Sequence, residues 1–242
     1  MRGTDGVQRI FIVPHSGEWL NVLSIAACGM RLDDKAVRTG VALRLGLQIC
    51  EPHVCPCGSS VDACGSHAFV CKKASARFSR HNALNDIVAR AVAAGDYPVS
   101  KEPAGLIAGS IKRPDGITLL PWRNGDYLAW DVTVATTLAS SSLEASSAQC
   151  GSASEVAASK TVAKYCDLPS HFSFQPVAFE NLGPASVSTA SFIDELGRRA
   201  SRFSGNRNER SFLWQRISLA LQRFNSVLLS QSFMPNPSES DE

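Results

Sequence analysis

No apolar run in the 242-residue sequence approaches the roughly 20 residues of a membrane-crossing helix, so no span is expected. Met1-Arg2-Gly3-Thr4-Asp5-Gly6 lacks the apolar core of a signal peptide, which sets the expectation of a reducing compartment. Strong charge of one sign is missing too. The net charge of +2 is too small to imply a polyanionic partner by itself. The sequence shows no internal repeat. What remains is a chain 44% hydrophobic and 19% charged, long enough for one larger domain or for a small module beside a catalytic core.

Eight cysteines are present, and in a reducing compartment they point to metal or free thiols before disulfides. Cys55, Cys57, His67 and Cys71 form C-x-C-x9-H-x3-C. Thiolates and imidazole are the ligands that zinc prefers in tetrahedral geometry, and an all-protein ligand set implies a structural Zn2+ site. The segment from Cys50 to Cys71 has no helical or strand period, so a metal would supply the folding energy that a hydrophobic core does not. Gly58 and Gly65 allow tight turns there. His53 and Cys64 are spare candidate ligands.

Elsewhere the periodicities are readable. Asp33 and Asp34 can cap a helix with apolar positions Val37, Val41 and Leu45, ended by Gly46. Leu84, Ile87, Val88, Ala91 and Val92 form a helical stripe closed at Gly95-Asp96. Tyr97 to Glu102 is a short strand. Thr136 to Ser154, rich in Ser and Ala, reads as a loop or frayed helix, Glu155 to Tyr165 as helix, and His171 to Phe179 as strand. Helices over about 189–202 and 209–230 complete the order. This succession predicts an α/β fold, a mixed central sheet flanked by helices. Arg198, Arg199, Arg202, Arg207, Arg210, Arg216 and Arg223 crowd the last quarter and read either as a polyanion-binding surface or as a solvated face.

One pair of residues carries a chemical expectation. Asp115 follows Lys112-Arg113-Pro114, and Asp131 sits in Trp130-Asp131-Val132-Thr133-Val134. Between them Asn124-Gly125 signals a tight hairpin, because a type I′ turn needs positive φ at both central residues. In the outgoing strand Trp130, Val132 and Val134 share one face, and Ala129, Asp131 and Thr133 the other. A carboxylate in an apolar strand is costly unless paired or metal-bound. Two such carboxylates at one sheet end could hold a hard cation such as Mg2+ for phosphodiester cleavage. Lys160 and Lys164, one turn apart on the next helix, are candidate cations for that site, with Glu102 a possible third carboxylate and His81 a water-orienting or phosphate-contacting group.

Read in order, Cys55-x-Cys57-Gly58, His67, Cys71, Arg80-His81-Asn82, Lys112-Arg113-Pro114-Asp115-Gly116, Trp130-Asp131-Val132-Thr133-Val134 and Lys164-Tyr165 resemble the C-terminal end of certain non-LTR retrotransposon polyproteins. There a zinc knuckle precedes a restriction-like endonuclease of the PD-(D/E)XK fold. Glu180-Asn181-Leu182-Gly183-Pro184 and Glu195-Leu196-Gly197-Arg198-Arg199 extend the likeness, which rests on the ordered set rather than on one motif. The resemblance implies a CCHC zinc knuckle over 51–73 and a restriction-endonuclease-like domain over 74–232; the pattern adds a helical lead-in over 1–50, and the polar composition a disordered tail over 233–242. It implies a nuclear, Mg2+-dependent nuclease whose partners are DNA or RNA. Its nick in target DNA would prime an upstream reverse transcriptase domain, which this chain lacks. Asp115 matches the aspartate of the PD element and Asp131 the second acid. Thr133 stands where the lysine of the motif is expected, so Lys160 or Lys164 takes that role. The alternative is a catalytically inactive fragment of a decayed retroelement that binds nucleic acid without cutting.

Overall fold

A computed structural model of the chain describes residues 14–26, 29–137, 149 and 151–233. Most of the Ser/Ala-rich stretch, over 138–148 and 150, lies outside these residues, as does the tail from 234 onward. After a 3-10 turn at Glu18–Asn21, helix α1 runs Asp34–Leu45. The Asp33 carboxylate accepts the Ala36 N–H at 2.7 Å to cap it, and Gly46 ends it in the left-handed region at φ 65°. Its apolar face differs from the expected one. Val37, Val41 and Leu45 point to solvent, while Ala36, Thr39, Gly40 and Leu43 are buried. Close approach decides the face: a Cβ on Gly40 would lie 3.2 Å from Gln222 Oε1 and 3.4 Å from the Trp19 ring. The helix therefore docks by its small residues rather than by its valines.

A hairpin of β1 (His53–Val54) and β2 (Ser60–Val61) and the short helix α2 (Ser66–Val70) carry the cysteine segment. Helix α3 (Ala76–Ala94) buries Leu84, Val88, Ala91 and Val92, as its stripe predicts. The main sheet has β3 (Val99–Lys101), β4 (Gly116–Thr118), β5 (Tyr127–Ala135) and β6 (Phe172–Glu180) in that spatial order. The first two pairings are antiparallel, and β5 with β6 is parallel. The expected hairpin turn is present, with φ of 51° at Asn124 and 90° at Gly125. Parallel neighbours need a crossover, and helix α4 (Ser152–Lys164) belongs to it. Helices α5 (Val187–Ser204) and α6 (Glu209–Gln231) follow. The architecture is thus a four-stranded mixed sheet flanked by helices.

Alternation along β5 assigns its two faces. Leu128, Trp130 and Val132 join the main core with residues of α3, α5 and α6, whereas Asp131 meets side chains at the end of α4. Strand β6 departs from clean alternation because Val177 to Glu180 are all buried, as in a parallel strand covered on both faces. A second core joins Leu43 of α1, Ala68 and Phe69 of α2, Leu182, and Leu228 and Leu229 of α6.

Two features of this packing have measurable weight. A Cβ on Gly116 would lie 2.1 Å from Trp130 Cζ2, inside a ring that is fully buried. Gly116→Ala is expected to cost about 3 kcal/mol by overpacking, read from urea unfolding. Helices α5 and α6 touch where Gly197 faces the Arg210 backbone, and there Asp194 accepts bonds from Arg210 at 2.8 and 2.7 Å and from Trp214 Nε1 at 2.8 Å. Burial pushes the Asp194 carboxyl up, but the Arg210 and Trp214 hydrogen bonds outweigh it and hold the group below its ordinary value. Its stabilisation is therefore present above the ordinary carboxylate range and is lost as pH falls through the lowered value. Asp194→Asn is expected to cost roughly 1 kcal/mol at neutral pH and nothing in strong acid, which thermal melts across pH would detect.

Candidate metal centre and carboxylate site

The cysteine cluster is built by the small hairpin and α2. Cys55 follows β1, and its N–H bonds to Ser59 O while its carbonyl accepts the Gly58 N–H. Gly58 has a φ of 90°, and the turn it makes brings Cys57 round to the side of Cys55. Helix α2 presents His67, and Cys71 caps its end. The ligand atoms of Cys55, Cys57, His67 and Cys71 all lie within 4.8 Å of one another. Cys57 Sγ is 3.0 Å from His67 Nε2, and Cys55 Sγ is 3.8 Å from Cys71 Sγ. Bonds from Ser59 pull the Cys57 thiol down to about 6, while burial pushes Cys55 up to about 11. This set could bind a metal such as zinc.

The spare candidates lie elsewhere. His53 bonds to Glu51 O and Ser232 Oγ and stacks on Phe233 at 4.0 Å, so it ties the hairpin to the end of α6. Cys64 is exposed and outside the cluster.

The second site forms where β4 begins. Asp115 and Asp131 are each 8% exposed. Asp115 donates its N–H to Trp130 O at 2.9 Å, and its Oδ2 accepts the Val132 N–H at 2.6 Å, so the first aspartate braces the strand that carries the second. His81 Nε2 lies 3.1 Å from Asp115 Oδ1. One turn along α3, Asn85 donates to Asp115 O at 3.1 Å and accepts from Trp130 Nε1 at 2.9 Å. Across the sheet Asp131 Oδ1 accepts from Lys164 Nζ at 3.2 Å and from the Tyr165 hydroxyl at 2.6 Å. Burial, then the neighbouring Asp115 charge, push the Asp131 carboxyl up, against the pull of Tyr165 and Lys164. The hydrogen bond to Asp115 raises the His81 imidazole despite its burial. Burial and then Asp131 push the Tyr165 phenol up.

Of the two lysines the structure brings Lys164 to Asp131. Lys160 lies exposed a turn earlier and makes no ion pair among the described residues. Glu102 is not brought to the pair. Its N–H bonds to Asp115 O, but its carboxylate turns outward to Arg113 at 3.7 Å. Tyr165 and Asn85 are the partners that sequence reasoning missed as site residues. Asn85 stands four residues after His81, on the same helix face, which is the signal that could have found it.

The arginine run is partly structural. Arg199 pairs with Glu195 and lies over the Trp122 ring, Arg210 holds Asp194, Arg216 pairs with Glu209, and Arg223 donates to Gly29 and Arg31 carbonyls. Arg198, Arg202 and Arg207 are exposed.

The Cys/His cluster includes Cys71, which caps α2 five residues before α3 begins, and Phe69 of α2 sits in the second core beside Leu228 and Leu229. Removing a bound metal with a chelator, or Cys71→Ser, is therefore expected to lower the melting temperature of the whole chain by roughly 10 °C. A tryptophan-fluorescence melt indifferent to both treatments would refute that coupling.

Compared with protein-family models and with curated proteins, the chain matches none of them.

Proposed function

We propose that the protein is a metal-dependent nuclease that hydrolyses phosphodiester bonds in DNA, with a restriction-endonuclease-like core. The reading rests on one observation above all: two buried aspartates, one immediately before β4 and one within β5, with a lysine bonded to the second. A buried aspartate whose carboxyl is pushed up by burial and by a neighbouring carboxylate, as Asp131 is, is costly unless a cation offsets it. The two aspartates offer carboxylate oxygens, which suit a hard divalent ion such as Mg2+. Asp131 Oδ2 has no hydrogen-bond partner among the described residues, so it is open to a ligand.

Bound there, the ion would act as a Lewis acid and lower the pKa of an attacking water. Asp115 and Asp131 would hold it. The Val132 amide and His81 fix the two oxygens of Asp115, and Tyr165 fixes Asp131. Lys164, already at Asp131, offers a positive charge for the oxyanion that develops on phosphorus. The second acid is followed two residues on by Thr133, and Lys164 supplies from a helix the cation that the familiar motif takes from the strand. Zinc in the Cys3His cluster orders the segment leading into α3, while exposed arginines of α5 and the loop after it meet nucleic-acid phosphates. In this reading the domain belongs to a retrotransposon polyprotein. It acts in the nucleus on target DNA, with RNA as a second nucleic acid, and its nick primes an upstream reverse transcriptase.

Nicking of supercoiled plasmid tests this. Mg2+-dependent nicking is expected, falling by at least about 10³-fold in Asp115→Ala and in Asp131→Ala. Lys160→Ala is expected to leave the rate within about two-fold, and Lys164→Ala to lower it roughly 100-fold. Folded, metal-loaded protein that binds DNA and never nicks it would replace this reading with that of a binding module.

A further inference from the structure

Helix α4 begins without a side-chain cap of its own. Its N-cap is Gly151, which has no side chain to offer. The first four N–H groups of any helix lack intrahelical acceptors. Here a residue from another element supplies one. Glu180, at the end of β6 and 1% exposed, accepts the Ala153 N–H at 3.1 Å and the Ser154 N–H at 3.3 Å on Oε1. Its Oε2 accepts the Thr137 hydroxyl at 2.9 Å. Thr137 also donates its N–H to Asn181 Oδ1, and the Asn181 N–H bonds to Ala135 O. The ends of β5 and β6 and the start of α4 are thus joined at one carboxylate.

No lysine or arginine forms an ion pair with Glu180 among the described residues. Burial pushes its carboxyl up, opposed by the Thr137, Ser154 and Ala153 bonds. The positive end of the helix dipole is the favourable field it meets. A buried acid without a cationic partner is expensive, and its placement at a helix start gives it a geometric task.

That task is at the other end of the helix. Thirteen residues of α helix make a rod about 20 Å long. Its last residue is Lys164, followed by Tyr165, and both bond to Asp131 of β5. We propose that Glu180 is a positioning residue of the carboxylate site: by gripping the start of α4 from the end of β6, it sets the axial position of Lys164 and Tyr165 against Asp131. The catalytic meaning of that placement rests on the nuclease reading, whereas the placement itself does not. A second contact keeps the helix in line, since Glu155 in its first turn accepts the Val187 N–H at the start of α5. Glu180 touches neither aspartate and acts only through the helix.

Acylation of intact protein by N-hydroxysuccinimide acetate, without DNA, reads the lysine directly. Lys164 and Lys160 are followed by mass spectrometry, Lys160 serving as the exposed control on the same helix. Glu180→Ala is expected to raise the Lys164 acylation rate roughly three-fold and to leave Lys160 unchanged, while Glu180→Gln, which keeps an acceptor oxygen, stays near wild type. In nicking assays Glu180→Ala is expected to lower kcat roughly 10-fold with KM for plasmid nearly unchanged, and Glu180→Gln to retain most of the activity. Unchanged Lys164 reactivity in folded Glu180→Ala overturns the proposal. Should that variant not fold, Glu180→Asp, which withdraws the carboxylate by one methylene, is judged by the same criterion. A wild-type protein that nicks nothing removes the nuclease reading, and the acylation rates still decide the role of Glu180.

Discussion

Two carboxylates buried side by side set the terms for everything around them. Asp115 and Asp131 repel one another in a setting that shields charge poorly, and each is held by a different part of the fold. Helix α3 and the backbone of β5 hold the first, and the end of α4 holds the second. The crossover between β5 and β6 is what brings α4 to the sheet face that carries Asp131. The remaining packing keeps these two grips in register, with Trp130 as a fully buried wedge hydrogen-bonded to the same asparagine that supports Asp115.

Much of this was legible where local chemistry decides. Asn124-Gly125 announced its turn because the φ requirement is strict. Asp33 and Gly46 announced the ends of α1, and the Leu84 stripe announced the face of α3. The alternation around Asp131 correctly separated the core side of β5 from the side that meets α4. What was illegible depended on distant partners. Val37, Val41 and Leu45 form a respectable stripe, yet the helix docks by Gly40 because Trp19 and Gln222 leave room there for a bare backbone and little more. Lys160 and Lys164 are equivalent by spacing, and only the end point of α4 relative to β5 separates them. Glu102 reads as a third acid until Arg113 is seen to hold it outside. Glu180 carries no signal of its role, because the amides it caps begin a helix 27 residues earlier in the chain.

The cysteine cluster solves a different problem. Its segment has little apolar surface of its own, with Val61 and the cysteines themselves forming its own small core. Ligand bonds can replace hydrophobic burial as the source of order in such a segment. The order gained is then passed on, because α2 ends at a cysteine of the cluster and α3 starts five residues later with Ala76, whose N–H bonds to Gln231 near the end of α6.

Gly65 gives that arrangement a consequence for how the chain can vary. It adopts a φ of 68°, and a Cβ there would lie 2.8 Å from Ile49 and 3.0 Å from Leu229. The cysteine segment is therefore seated in the domain as a keystone rather than hung from it as a pendant. A copy cut out and joined to another protein would leave the seat of Phe69 behind. A module on flexible linkers can be duplicated or exchanged as a unit, but this segment is expected to travel through evolution only together with α6, which receives it.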